Sequence, residues 1–495
     1  MAFDTQNINI QTKKILGVGE FAVSTKINID PEKALKKVLS VKAFAEQNAA
    51  EQIDTDYTVN GRTQLSVVYL TENNTLESVV GFADFQASTK INGTATAVQI
   101  MVKEITQDSV SASELSLSVL HNFVVEGLSK ETFSVVSNLS EDYVSQTQNV
   151  NYRQICATSA EKFVVSENLE INANRVLNAD AYVKVKNVLS GIDQVSIDGE
   201  IDVKILYATD GGTNLYTKTL DFKREIACMG ALPDALCYAQ LKVGCINAEL
   251  EMGEKTFVKL DISLDAIADV YENKELTVVT DVYSLTQNVE TTVECVENSS
   301  FAQAKYINDT VVCGADISTQ SVDEVVAVLN PVVELSHVSV NEGNAIIEGV
   351  VNSTLIYKDN ETQEIKNMNL SCPFVSKTDA ETCSNIEDVF VTCGLSSVKI
   401  RSGKELEIVL DVQIGFAGKQ NSYFEYVKSI LEVGEKEVSN SAITIYVTKE
   451  NESIYSVAKA LNVLPETIIN QNEIVDGKFA KGQRIFVYSP LNVEF

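Results

Sequence analysis

The chain has 495 residues, 39 basic against 69 acidic, a formal net charge of −30, and hydrophobic and charged fractions of 45% and 22%. That length exceeds what one core sustains and predicts three or four domains, with a composition that is folded rather than disordered. The acidity disfavours phosphate-bearing partners, so neither nucleic acid nor an anionic lipid surface is expected to bind.

The opening lysines are not followed by an apolar run of signal-peptide length, and no stretch approaches the ~18 apolar residues of a spanning helix. A cytosolic protein with no membrane span is therefore expected. The nine cysteines form no CxxC pair, and His121 and His337 are the only histidines. No zinc pattern arises from that set. Several cysteines lie inside apolar strand patterns and read as small buried hydrophobes in a reducing compartment. No GxSxG, HExxH, P-loop or GxGxxG in a strand–helix setting occurs, and tryptophan is absent. Neither an enzyme nor a cofactor is expected.

Residues 30–52, DPEKALKKVLSVKAFAEQNAAEQ, have a helical composition, yet they open a pattern that recurs. VNGRTQLSVVYL carries Gly61 and Tyr69, IDGEIDVKILY carries Gly199 and Tyr207, and IEGVVNSTLIY carries Gly349 and Tyr357. Each tyrosine follows its glycine by eight residues. Upstream, Leu39, Leu177 and Leu329 of VLS, VLN and VLN precede the glycines by 22, 22 and 20 residues. Downstream, Phe85, Phe222 and Phe374 follow by 24, 23 and 25. Four landmarks held in register three times establish an internal repeat.

In the second copy Val195, Ile197, Gly199, Ile201, Val203, Ile205 and Tyr207 fall on one face, and Ser196, Asp198, Glu200, Asp202 and Lys204 on the other. Period two predicts a half-buried antiparallel strand, so VLSVKAFA in the first copy is also expected to be strand. A glycine inside it marks a bulge or a close backbone approach. TENNT, ATDGGTN and KDNETQE after the tyrosines predict hairpins. ELSLSVLHNFVVEGL, TFVKLDISLDAIADVY and ELEIVLDVQIGFAG alternate again. The expected fold is mainly β: three tandem β-sandwich-like modules over 1–155, 156–300 and 301–440, joined without Gly/Ser linkers and so held in a fixed relation.

Residues 442–490 break the pattern and read β-α-α-β. ITIYVT is a strand, Ser453 caps a helix whose apolar face is Ile454, Val457, Ala458 and Leu461, Pro465 opens a second helix with Leu464, Ile468 and Ile469 as its core, and RIFVY closes the unit. From Ile443 to Tyr488 five basic residues balance five acidic ones, so the negative charge lies on the β body.

This unit resembles a LysM domain. Tyr446–Val447, then Asn451-Glu452-Ser453-Ile454, Tyr455, Val457-Ala458, Ile468, Asn472, Gly482-Gln483, Ile485 and Val487 follow the family pattern, with Asn-Glu-Ser where the family has Gly-Asp-Thr. The resemblance implies a shallow groove for N-acetylglucosamine-containing glycans, with Asn451, Glu452, Ser453 and Ile454 facing Asn472, Glu473, Ile474 and Val475. For Asn472 the reading of its amide as a structural loop tie stands beside the ligand role. For Tyr455 core packing is favoured.

Three such repeats followed by one LysM unit resemble the SPOCS-domain family of endospore-forming clostridia. That resemblance implies a spore coat scaffold in the mother cell, located at the forespore surface, with its LysM unit contacting a coat morphogenetic ATPase or another coat protein. A peptidoglycan-binding LysM protein and a phage-tail-type structural protein are the alternatives.

Overall fold

The computed structural model describes residues 3–252, 256–316, 322–401, 405–437, 441–474 and 479–488. Strand dominates throughout the chain up to Glu435, and the strands fall into three sets of six with one connectivity.

The first set is β1 (Phe3–Asn28), β2 (Leu35–Ile53), β3 (Asp56–Thr71), β4 (Leu76–Lys90), β5 (Thr94–Val110) and β6 (Glu114–Leu139). The second is β7 (Tyr143–Glu170), β8 (Arg175–Ser190), β9 (Gln194–Thr209), β10 (Gly212–Ala227), β11 (Leu236–Met252) and β12 (Thr256–Ser284). The third is β13 (Gln287–Asp316), β14 (Val322–Asn341), β15 (Asn344–Asp359), β16 (Ile365–Asp379), β17 (Asn385–Arg401) and β18 (Glu405–Glu435). In each set strands two, three and four form one antiparallel sheet, and strands one, six and five form the other, with six in the middle. The two sheets of a set face each other across a core of alternate residues. In the first set Val59, Leu65 and Val67 of β3 meet Leu115, Leu117 and Val119 of β6, all fully buried.

The boundaries expected at 155/156 and 300/301 fall inside single strands, β7 and β13. These strands run unbroken because each pairs along its whole length, Tyr143–Glu170 with β12 and Gln287–Asp316 with β18. The breaks between sets lie instead at the turns 140–142 and 285–286. The helical composition of 30–52 yields only a short 3-10 turn at Pro31–Lys33, and Leu35 onward is strand, as the repeat comparison requires.

The landmark glycines and phenylalanines form one device. Gly61, Gly199 and Gly349 lie directly opposite Phe85, Phe222 and Phe374 across neighbouring strands. A Cβ added to them would meet the aromatic ring at 2.4, 2.5 and 2.8 Å, and a backbone carbonyl of the other neighbour strand at 2.3, 2.4 and 2.6 Å. The ring lies over the glycine, so the side chain absent on one strand is replaced by its neighbour's. Tyr69, Tyr207 and Tyr357 pack into the core of their own set.

The landmark leucines do something else. Leu39, Leu177 and Leu329 come from different sets but bury themselves in one cluster, together with Val68, Leu206 and Ile356, the residues just before the three tyrosines. Side-chain hydrogen bonds between sets lock it: Asn367 Nδ2 donates to the Leu39 carbonyl (2.6 Å), Ser78 Oγ to that of Val176 (2.8 Å), and Asn330 Nδ2 to Ser40 Oγ (2.8 Å). The three sets thus surround a common axis.

Further along that axis β5, β11 and β17 stop opposite Leu128, Tyr271 and Lys419. Strands six continue past these points paired only with strands one, as two-stranded ribbons. On β12 the extension is Glu272–Ser284, roughly 40 Å at about 3.3 Å per residue. The ribbons bury Val135, Val150, Val278, Phe424 and Tyr426 against one another, and nearer the tip Val136, Tyr143, Val279, Val282, Val427 and Ile430. A ribbon alone is marginal in water. Three of them make a stalk with its own apolar interior.

Where sandwiches meet stalk, Lys13 is buried between three carboxylates: Glu126 of its own set (3.0 Å), Asp269 of the second (3.0 Å) and Asp388 of the third (3.3 Å). One ammonium therefore ties all three sets together.

The cysteines correct the expectation. Cys313 on β13 and Cys372 on β16 form a disulfide between the two sheets of the third set, and Cys295 is exposed on its ribbon. Cys228 and Cys383 are buried, as a small hydrophobe would be. His121 is also buried, stacked on Phe21 (ring centroids 4.8 Å apart) and hydrogen-bonded to Thr63 Oγ1 (3.1 Å), with burial pushing its imidazole down to about 4. His337 is exposed.

Candidate functional site

The C-terminal unit is built of β19 (Ile443–Val447), α1 (Ile454–Leu461), α2 (Pro465–Gln471) and β20 (Arg484–Tyr488), with β19 and β20 antiparallel. Ser453 caps α1, its Oγ accepting from the Ser456 amide (3.0 Å), and Pro465 occupies the first turn of α2. Val457, Ala458, Ile468, Ile485 and Val487 form the core. Ile454 and Leu461 border it, whereas Leu464 and Ile469, expected inside, are 41% and 48% exposed. Two strands and two short helices leave no second layer to cover that side of α2.

The residues expected to line a groove are largely engaged in holding its two loops. Asn451 has φ 64°, a left-handed conformation that asparagine tolerates better than most side chains. Glu452 closes the first loop: Oε1 accepts from Tyr446 Oη (2.7 Å) and Oε2 from the Lys449 amide (2.6 Å). Those donors, the amide first, hold its carboxyl below the usual range. Asn472 is a strut between α2 and β20. Its Nδ2 donates to the carbonyls of Ile468 (3.0 Å) and Phe486 (2.8 Å), and its Oδ1 accepts from the Phe486 amide (2.7 Å). Gln483 Nε2 donates to the Glu473 carbonyl (3.0 Å) and fixes the second loop. Asn451, Ser453 and Glu473 are exposed, Ile454 and Ile474 are half-buried against the core, and Val475 lies outside the described residues.

The unit is clamped to the stalk tip by a set of residues that sequence reading does not single out. Tyr283 of β12 is buried in the unit's core cluster, and its Oη donates to the Val463 carbonyl (2.6 Å). Burial pushes that phenol up to about 12. The Tyr455 ring meets the Tyr283 ring edge-on at 5.5 Å, so Tyr455 packs between unit and stalk. Lys459 bridges both oxygens of Asp281 (2.7 Å each), Asn462 Nδ2 donates to the Leu285 carbonyl (2.8 Å), and Lys436 reaches the Ser284 carbonyl (2.7 Å) and Asn462 Oδ1 (2.6 Å). One signal was readable: TDVYSLTQNVE, which contains Asp281 and Tyr283, has a counterpart in EDYVSQTQNV. Both now prove to be ribbon ends at the stalk tip.

The rest of the described chain gathers no group of His, Cys, Asp and Glu able to hold a metal ion. Among the described residues no helix is long and apolar enough to cross a membrane.

Residues 172–251 match the family model described as SipL, SPOCS domain. The matched stretch spans β8, β9 and β10, one whole sheet of the second set, and then β11 up to Glu251. It contains Leu177, Gly199, Tyr207 and Phe222, so the repeat landmarks of the second copy fall within the SPOCS-like stretch. The SPOCS-like stretch therefore supplies both the glycine–phenylalanine device and the leucine that enters the three-set cluster. Comparison with curated proteins returned no match, and comparison with solved structures returned none either.

Proposed function

We propose that this chain is a non-enzymatic scaffold of endospore coat assembly, and that its C-terminal unit is a LysM domain that docks a coat morphogenetic protein at the forespore surface. The observation that carries this reading is the pairing of a SPOCS-like β body with a C-terminal unit fixed rigidly to its stalk. One side of that unit is taken up by Tyr283, Asp281 and Leu285, while Asn451, Ser453 and Glu473 stay exposed. A rigid body with an exposed recognition edge at its tip suits an adaptor, because little orientational freedom is lost when a partner is seated.

The units over 3–139, 143–284 and 287–435 act as three copies of one module in this reading, and the negative charge of the body keeps neighbouring adaptors apart until a partner engages. The partner is taken to be a coat protein, the coat morphogenetic ATPase first. A glycan is the weaker reading, since the amide of Asn472 and the carboxylate of Glu452 are both engaged within the unit.

The test is a fluorescent fusion followed through sporulation. The full chain is expected to encircle the forespore, and a chain ending before Ser441 is expected to disperse in the mother cell. Unchanged encirclement by the truncated chain overturns the docking role. The variant E473K in the full chain is expected to weaken capture of the coat ATPase in a pull-down. Pelleting of purified protein with peptidoglycan, lost in S453K, would replace the coat partner with a glycan.

A further inference from the structure

A cavity of about 330 Å³ opens where the second set meets the third, with Leu206, Leu329 and Pro331 among its apolar lining. Its charged lining is mostly paired. Lys42 holds Asp180 (2.5 Å), Lys184 holds Asp202 (2.7 Å), and Lys218 holds Glu167 (2.7 Å). Two charges remain, Lys204 of β9 and Asp411 of β18. Both line the cavity without a direct ion pair or hydrogen bond among the described residues, and Asp411 is the first of the carboxylates that attract Lys204 across it. Tyr182 lines it too. The residue is 4% exposed, and its buried Oη has no hydrogen-bond partner. A buried hydroxyl left unsatisfied forfeits its bonds to water with nothing in return, so such a group calls for an explanation.

The repeat supplies a control, because the junction between the first and second sets is built from the same positions. Tyr182 pairs with Asp202, three residues past Gly199, and Phe44 pairs with Gln64, three past Gly61. Lys204 and Ser66 each stand five past those glycines. Asp411 and Ser263 each stand eight before the point where strand five ends on its neighbour, Lys419 and Tyr271. The first junction thus carries phenylalanine and two serines; Phe44 is buried in the core of the second set, and Ser263 Oγ is likewise buried without a hydrogen-bond partner. The second carries a tyrosine hydroxyl, an ammonium and a carboxylate, and it is open. Gly394 lets the tyrosine ring approach, since a Cβ there would lie 2.8 Å from it. An unpartnered hydroxyl is thus common to both junctions, and what distinguishes the second is its open space and the opposite charges that line it. The second junction has the chemistry of recognition.

We propose that this cavity binds a small zwitterion of the free amino acid class, its carboxylate on Lys204 Nζ and Tyr182 Oη and its ammonium on Asp411. Each charge of the ligand answers one of the two opposite charges that face each other across the cavity without direct contact, and the site stays neutral when filled, which a bare anion or cation does not achieve. Binding between two sets also tightens their junction.

Isothermal titration of the full chain with glycine, L-alanine and L-leucine, each beside its N-acetyl and amide forms, tests this. At least one free amino acid is expected to give saturable heat and to raise the melting temperature, with each capped form about tenfold weaker or more. Lys204→Met and Asp411→Asn are each expected to weaken binding by a similar factor, and Lys204→Arg to retain part of it. No saturable heat from any free amino acid up to millimolar concentration, with the wild-type chain folded, overturns the proposal. So does equal binding of the capped forms, and both readouts use the wild-type chain whatever becomes of the variants.

Discussion

Gly199→Ala is the substitution whose outcome depends most directly on the repeat's construction. Alanine replacing glycine in an ordinary strand is neutral or favourable, because the unfolded chain loses freedom while the strand gains a side chain. Here the added Cβ would stand 2.4 Å from the Lys184 carbonyl oxygen and 2.5 Å from Phe222 Cζ. The ring can swing away, but the carbonyl belongs to β8, which is paired with β9 on both sides of that point. Overpacking costs about 1–3 kcal/mol, and a backbone obstacle puts this case near about 3. At roughly 2–4 °C per kcal/mol for a domain of this size, the second set should melt about 6–12 °C lower.

Differential scanning calorimetry of the full chain reads that shift. Adding Phe222→Leu to Gly199→Ala should recover only the ring's share, a coupling of about 1 kcal/mol, and leave the carbonyl clash in place. A Gly199→Ala chain that melts at or above the wild-type temperature refutes the reasoning. It would mean that glycine is at this position for reasons other than the close approach.

Other expectations follow from the same geometry. Lys13→Met leaves Glu126, Asp269 and Asp388 buried without their cation and should cost about 3–5 kcal/mol at neutral pH. Burial, partly opposed by Lys13, already raises the Glu126 carboxyl; a raised acid favours the folded state below its unfolded value and loses that advantage as pH rises. The deficit of Lys13→Met in urea titrations should therefore shrink toward pH 5, and an equal deficit at both ends would contradict this. His121, held near 4 by burial, works in the opposite direction. Stability present above about 6.5 should fall as pH drops toward 4, by about 3 kcal/mol, and His121→Leu should flatten that slope. Tyr283→Ala removes the ring that joins stalk to C-terminal unit, at about 3 kcal/mol, and hydrogen exchange over 443–488 should rise while the sandwiches keep their protection.

What was legible follows from range. Alternation and the landmark spacing are local, so β9 and the hairpins after Tyr69, Tyr207 and Tyr357 could be read directly. Ser453 and Pro465 likewise marked the helix starts. The stalk could not be read. Residues 272–284 and 420–435 alternate like the strands of a sandwich, and nothing in one ribbon says that two others will cover it. For the same reason the module boundaries were placed inside β7 and β13. Lys13 reads as one more charge beside Lys14, yet it meets carboxylates from two distant sets. Leu39, Leu177 and Leu329 were seen as a pattern without a cause, because that cause is a contact among all three copies. At the C-terminal unit the loop residues were found, but Tyr283 was not, since its partner Val463 lies 180 residues away.

The same register position is built differently in the three copies. It holds Phe44, Tyr182 and Val332, which pair three residues past Gly61, Gly199 and Gly349. Phe44 is 9% exposed and buried in the core of the second set, and Tyr182 is 4% exposed and set against Gly394 of the third. Val332 is 51% exposed. The strand that would have to cover it is the counterpart of β11 and β17, namely β5. Where those strands place Cys245 and Gly394, β5 places Glu104, beside Lys103 in its ion pair with Glu20 (2.7 Å). An aromatic knob has become a valine, and its apolar socket has become a charged strand. Both halves of the head-to-tail contact are thus altered on the outer faces of the first and third sets, which works against the same contact with another copy there. Growth by that contact is disfavoured, and the three sets close around the cluster of Leu39, Leu177 and Leu329 instead.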